Sequence, residues 1–140
     1  MTLDSAGLQV LSRAECLALL ASVPVGRIVF TDRALPAVQP VGFVLDGEDV
    51  VIRTTAGSRL AFAARNAVVA FEADEFDARM STGWSVTMVG HARAVQDLAE
   101  IERLSLLPLT PWAPGAREQF IVMCPQEISG RRIHAETLLR

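Results

Sequence analysis

Residues 52–61, Ile52-Arg53-Thr54-Thr55-Ala56-Gly57-Ser58-Arg59-Leu60-Ala61, set two guanidinium groups, three hydroxyls and a glycine between an apolar strand pattern and an alanine-rich helical pattern. Arginine forks match phosphate oxygens in pairs, a helix start favours an anion, and glycine lets backbone turn closely around a ligand. The chemistry such a set supports is a phosphate grip. The same composition also describes an ordinary exposed connection, a strand end followed by glycine and a serine N-cap. The segment by itself leaves both readings open.

The remaining chemistry-bearing residues form no familiar constellation. His91 and His134 are the only histidines, and neither has a cysteine or carboxylate at metal-ligand spacing, so no zinc site is expected. No nucleophile elbow, Walker loop or dinucleotide fingerprint occurs, and the cysteines and histidines do not suggest a Cys-His pair. Asp74, Glu75 and Asp77 read as a solvated acidic turn rather than a metal or acid-base cluster. Trp84 and Trp112 carry indole faces that stack on planar ligands or on a partner subunit, with core packing as the plainer role. Cys16 and Cys124 lie in apolar patterns and read as small core-facing side chains.

Local signals place these residues on elements. Ser12-Arg13-Ala14-Glu15 is a capping box, and Leu17, Leu20 and Ala21 continue it as a short helix that stops before Pro24. Val25 to Thr31, Ala37 to Leu45 and Val50 to Thr54 are strand runs joined by short polar turns, the pattern of antiparallel hairpins. A short helix follows Gly57-Ser58, then a strand over Ala67 to Ala73, and an acidic, loop-like segment from Asp74 to Thr82. Trp84 to Val95 is a long strand whose Val86, Met88, Gly90, Ala92 and Ala94 share one face. Asp97 caps a helix through about Leu106, three prolines break the chain, and the last strand runs from Gln119 to Met123. Pro125 must sit at an edge or bulge, with pairing resuming near Glu127 to Ile133. Strands without regular helix alternation argue for a mainly β protein, an antiparallel barrel with peripheral helices.

Size and charge narrow the partners. The 140 residues, 51% apolar, suit one domain spanning 1–140. The net charge of −3 and the lack of a basic cluster argue against nucleic acid and anionic membranes as partners. All 13 basic residues are arginine, a feature of coding bias rather than of function. No signal peptide or membrane-length apolar run is read, so a soluble cytoplasmic protein is expected.

Three segments in order resemble the pyridoxamine 5'-phosphate oxidase-like, flavin-binding split-barrel family over nearly the whole chain. Thr54-Thr55-Ala56-Gly57-Ser58-Arg59-Leu60-Ala61 is similar to its phosphate loop. Trp84-Ser85-Val86-Thr87-Met88-Val89-Gly90 resembles the strand whose early polar residue lies near the flavin ring. Pro36-Ala37-Val38-Gln39-Pro40-Val41-Gly42-Phe43 resembles the strand whose backbone borders that ring. The resemblance implies an antiparallel split β-barrel of the FMN-binding type and a homodimer with the cofactor site at the subunit interface. It implies that Thr54, Ser58 and Arg59 hold the FMN phosphate, with Thr55 also in the cofactor site and Arg53 adding a second charge. Pro40, Val41 and Gly42 would edge the ring, Trp84 and Ser85 would face its rim or the ribityl chain, and Trp112 would close the substrate pocket from the neighbouring subunit.

Departures from the family pattern limit the activity. Leu60 replaces a basic residue of the phosphate loop, and Gln39 and Ser85 stand where the vitamin-making enzymes carry arginine and glutamine. Their C-terminal substrate motif has no counterpart. The implied function is a flavin-dependent oxidoreductase acting on a small molecule other than pyridoxine phosphate. An 8-hydroxy-5-deazaflavin coenzyme is the alternative cofactor, and a non-catalytic flavin carrier or sensor the alternative role.

Overall fold

Alternation along the strands decides the architecture, because each strand has one face for a core and one for its surroundings. The structure, a computed structural model, describes residues 1–109 and 118–134. Among them the chain order is β1 (Gln9–Val10), α1 (Arg13–Leu20), β2 (Val25–Asp32), β3 (Leu35–Asp46), β4 (Asp49–Thr55), α2 (Arg59–Ala63), β5 (Asn66–Asp77), β6 (Thr82–Ala94), α3 (Leu98–Leu104) and β7 (Glu118–Ile133). The strands pair antiparallel in the order β1-β7-β4-β3-β2-β5-β6, and β6 pairs again with β7. That last pairing closes a ring of six strands, with β1 hydrogen-bonded to β7 outside it. The expected mainly β antiparallel barrel with peripheral helices is the observed fold.

Inward positions form one core. Ile28 and Phe30 of β2, Phe43 of β3, Val50 and Ile52 of β4, Phe71 of β5, Val86 and Met88 of β6, and Ile121 and Met123 of β7 all belong to it. Phe43 and Phe71 meet edge to face, with ring centroids 4.7 Å apart. Each such side chain contributes about 1.5–3 kcal/mol by leaving water. The capping box holds as read: Ser12 Oγ accepts from Glu15 N–H at 3.1 Å, and Ser12 N–H donates to Glu15 Oε1 at 2.9 Å. α1 thereby turns Cys16 and Leu20 into the barrel. On the outer face of β4 and β7, Val51, Phe120 and Val122 make a second cluster under Leu104 of α3 and Leu109.

Three expectations change. Asp74 to Asp77 is not loop but the end of β5, paired with Ser85, Trp84, Gly83 and Thr82 of β6. Carboxylates are depleted in strands, but cross-strand pairing overrides that preference. The turn is confined to a few residues, where Asp77 Oδ1 accepts from the amides of Arg79 and Met80 at 3.0 and 3.2 Å. β7 is one strand rather than two, and the bulge expected at Pro125 is present within it: Gly90 pairs with Pro125 and Val89 with Glu127, so Gln126 is the extra residue. Gly90 is needed there, because a Cβ on it would stand 2.1 Å from the carbonyl oxygen of Cys124. Cys124 is exposed rather than core-facing. It continues the face of Phe120 and Val122, and the cover over that face ends before it.

Candidate functional site

The β4–α2 connection is built locally. Gly57 takes φ of 85°, in the left-handed region that favours glycine, and the chain then turns into the Ser58 cap. Ser58 Oγ accepts from Ala61 N–H at 3.0 Å and lies 3.1 Å from Thr54 Oγ1. With one proton on each hydroxyl and one of them shared between the two oxygens, the pair keeps an O–H free to donate. Arg59 follows with a side chain 82% exposed, its only ion-pair contact among the described residues being Asp32 at 3.8 Å. The guanidinium therefore retains nearly all of its donors. A groove of about 580 Å³ runs between this corner and the β2–β3 turn, bordered by Ser58, Arg59, Asp32, Arg33 and Phe62. Two cations against one carboxylate, beside a hydroxyl pair, suit a phosphate ester.

Arg53 does not join this grip. Ile52 points into the barrel, so alternation sends Arg53 outward and Thr54 back toward the barrel side. Arg53 pairs with Glu118, donates from Nη1 to Leu109 O at 2.9 Å, and lies over the Phe120 ring at 4.8 Å. Its Nε is buried without a partner among the described residues. These contacts make Arg53 a clamp on the second hydrophobic cluster, facing away from Ser58. Leu60 also reads differently in place: it is fully buried in the main core. A side chain at that position packs the barrel and does not reach the groove.

The residues expected to edge a flavin ring divide between the two sheet faces. Pro40 is exposed and Gly42 half-buried, while Val41 turns its side chain into the core. Trp84 and Ser85 are adjacent on β6 and so face opposite ways: Trp84 is 6% exposed among the core residues, and Ser85 faces out. The two cannot present side chains to one ring together. Trp84 instead borders a second cleft of about 620 Å³ with Phe76, Asp77, Arg132 and His134, at the turn end of the β5–β6 hairpin. Thr55 is exposed and pairs with Glu118 in the ladder. Trp112 lies outside the described residues.

Sequence reading missed a charged group on that same outer face. Arg27 of β2 is the direct partner of Pro40 on β3 and of Glu72 on β5, and Asp74 on β5 is the direct partner of Ser85 on β6. Arg27 Nη1 stands 3.3 Å from Glu72 Oε1 and 3.2 Å from Asp74 Oδ1. Burial, followed by the neighbouring Asp74 carboxylate, pushes the Glu72 carboxyl up to about 7, against the pull of Arg27. The only sequence signal was the two-residue spacing of Glu72 and Asp74 around Ala73, a strand pattern hidden by reading the acidic run as a turn. Among the described residues no group of three side chains suits a metal ion, and no helix is long and apolar enough to cross a membrane.

Residues 12–132 match the family model described as pyridoxamine 5'-phosphate oxidase. An uncharacterized protein of Mycobacterium tuberculosis is 41% identical over 133 residues, covering 91% of this chain and 86% of the relative. A solved structure, the FAD binding protein from Mycobacterium smegmatis, is 38% identical with a TM-score of 0.79, over 90% of this chain and 100% of that one. A conserved protein of unknown function from Corynebacterium diphtheriae is 33% identical with a TM-score of 0.77, over 91% and 98%. The barrel is thus the split barrel also seen in flavin-binding proteins. The chain belongs to the pyridoxamine 5'-phosphate oxidase family.

Proposed function

We propose that this protein is a flavin-dependent oxidoreductase that holds the phosphate of its cofactor at Thr54, Ser58 and Arg59. The observation that carries the reading is the exposed Arg59 guanidinium beside the Thr54–Ser58 hydroxyl pair. A bound flavin supplies hydride or electron transfer at its ring, and the protein supplies binding and electrostatics. Pro40, Gly42 and Ser85 border the ring on the outer sheet face, and Thr55 lies at the rim of the phosphate loop. FMN satisfies the grip. FAD is supported by the groove's continuation past Ser58 to Arg33 and the exposed Phe62, and by the name of the Mycobacterium smegmatis relative.

The active form in this reading is a homodimer. Val38, Val29, Ala70 and Val89 are successive cross-strand partners, forming an apolar row over four strands on the outer face. A second copy laid on that row brings two subunits to the ring. Visible absorption and mass analysis of the small molecule that copurifies distinguish FMN, FAD and an 8-hydroxy-5-deazaflavin. A colourless protein that binds none of them overturns the proposal. Holo protein that accepts electrons but passes them to no acceptor makes it a carrier instead.

A further inference from the structure

We infer that the Arg27–Glu72–Asp74 cluster borders the flavin ring and couples its reduction to uptake of one proton at the Glu72 carboxylate. The inference rests on the proposed flavin site and adds to it a positioning residue that acts through charge. Direct cross-strand partners stand about 4.5–5.5 Å apart at Cβ. A ring edged by Pro40 therefore lies against Arg27, and one edged by Ser85 lies against Asp74, whichever subunit contributes each edge. Glu72 sits between these two contacts, bridged to both by Arg27 Nη1.

The charges around Glu72 are few and named. Arg27 faces it from β2 and Asp74 from β5. β6 offers the uncharged Thr87 and Ser85, and β3 offers Pro40 opposite Arg27. Beyond β6, Ser129 and Arg131 of β7 follow in register, with Arg131 held by Asp4 at 2.9 Å. One cation among two carboxylates leaves the cluster with net charge −1 when both are ionised. Negative charge added beside it disfavours that state. The Glu72 carboxylate then binds a proton from solvent: an Oε–H bond forms, no protein bond breaks, and the two electrons come from a chemical reductant such as dithionite.

The test compares wild-type and Glu72→Gln protein loaded with FMN, measuring the midpoint potential by dye equilibration from pH 5.5 to 8.5. Below about pH 7 Glu72 already carries its proton, and the two potentials run parallel. Above it, the wild-type potential falls more steeply than the variant's by about 30 mV per pH unit, the value of one extra proton per two electrons. Asp74→Asn removes the neighbouring carboxylate and moves the wild-type break to lower pH. Equal slopes in wild type and Glu72→Gln, with FMN bound to both, overturn the proton coupling and leave the flavin site standing. Failure of the wild-type protein to bind FMN, FAD or a deazaflavin overturns both.

Discussion

Replacing Arg53 and Arg59 separately divides two roles that one stretch of sequence carries side by side. Arg53→Ala removes a charged pair with Glu118, a hydrogen bond to Leu109 O and a ring contact with Phe120. Hydrogen bonds involving a charged group contribute about 1.5–3 kcal/mol, and an exposed cation–π contact about 0.5–1 kcal/mol. The three share one side chain, so their values do not add in full, and a loss of about 2–3 kcal/mol is expected. At this chain length roughly 3 °C accompanies each kcal/mol, so Tm falls by about 6–9 °C. Arg59→Ala removes a side chain 82% exposed, with its carboxylate at 3.8 Å. Its stability cost stays within about 0.5 kcal/mol. Loss of an arginine–phosphate contact of about 1.5–3 kcal/mol weakens FMN binding by roughly ten- to 150-fold. Differential scanning calorimetry and fluorescence titration of apo protein with FMN read the two quantities. An Arg53→Ala variant with unchanged Tm and weakened FMN binding refutes the reasoning, as does an Arg59→Ala variant that binds FMN like the wild type.

Further outcomes follow from packing and charge. Gly90→Ala drives a methyl into the carbonyl oxygen of Cys124 and the Cα of Pro125, 2.1 and 2.8 Å away. Backbone on both sides cannot yield cheaply, so a loss of about 3 kcal/mol in urea unfolding is expected. Leu60→Lys, which restores the family's basic residue, places an ammonium in the main core. It destabilises by at least about 3 kcal/mol, the scale of an uncompensated buried charge, without tightening FMN. For Glu72, the unfolded carboxyl titrates near 4.5 and the folded one near 7. Between these values the folded state binds more protons, so the group lowers stability as pH rises and leaves a constant cost above the window. Glu72→Gln therefore matches the wild-type Tm at pH 4 and exceeds it increasingly up to about pH 7, with a constant gap beyond.

The parts legible in the sequence are those set by neighbours along the chain. Ser12, Ser58 and Asp97 cap helices through bonds to residues three positions on, and each cap is present. The alternation of Val86, Met88 and Ala92 marked the inner face of β6 correctly. What required register was hidden. Asp74 to Asp77 pair with residues that only the hairpin brings opposite, and Arg27 meets Glu72 across 45 positions. Cys124 is exposed because α3 and Leu109 cover the sheet only as far as Val122. The direction of Arg53 was within reach, since its neighbours Ile52 and Thr54 share the opposite parity. Treating residues 52–61 as one unit obscured it.

The closing strand also bears on how the chain is made. β7 is bonded by β4 over its first residues and by β6 over most of its length. While residues 118–133 are still inside the ribosome, β4 and β6 both present open edges, and such edges recruit other chains. The hairpins of β2–β3, β3–β4 and β5–β6 can form during synthesis from contacts close in sequence. Ring closure waits for the last strand. Newborn chains stalled before Glu118 are therefore expected to associate with each other or with holding chaperones, and those released with β7 in place are not.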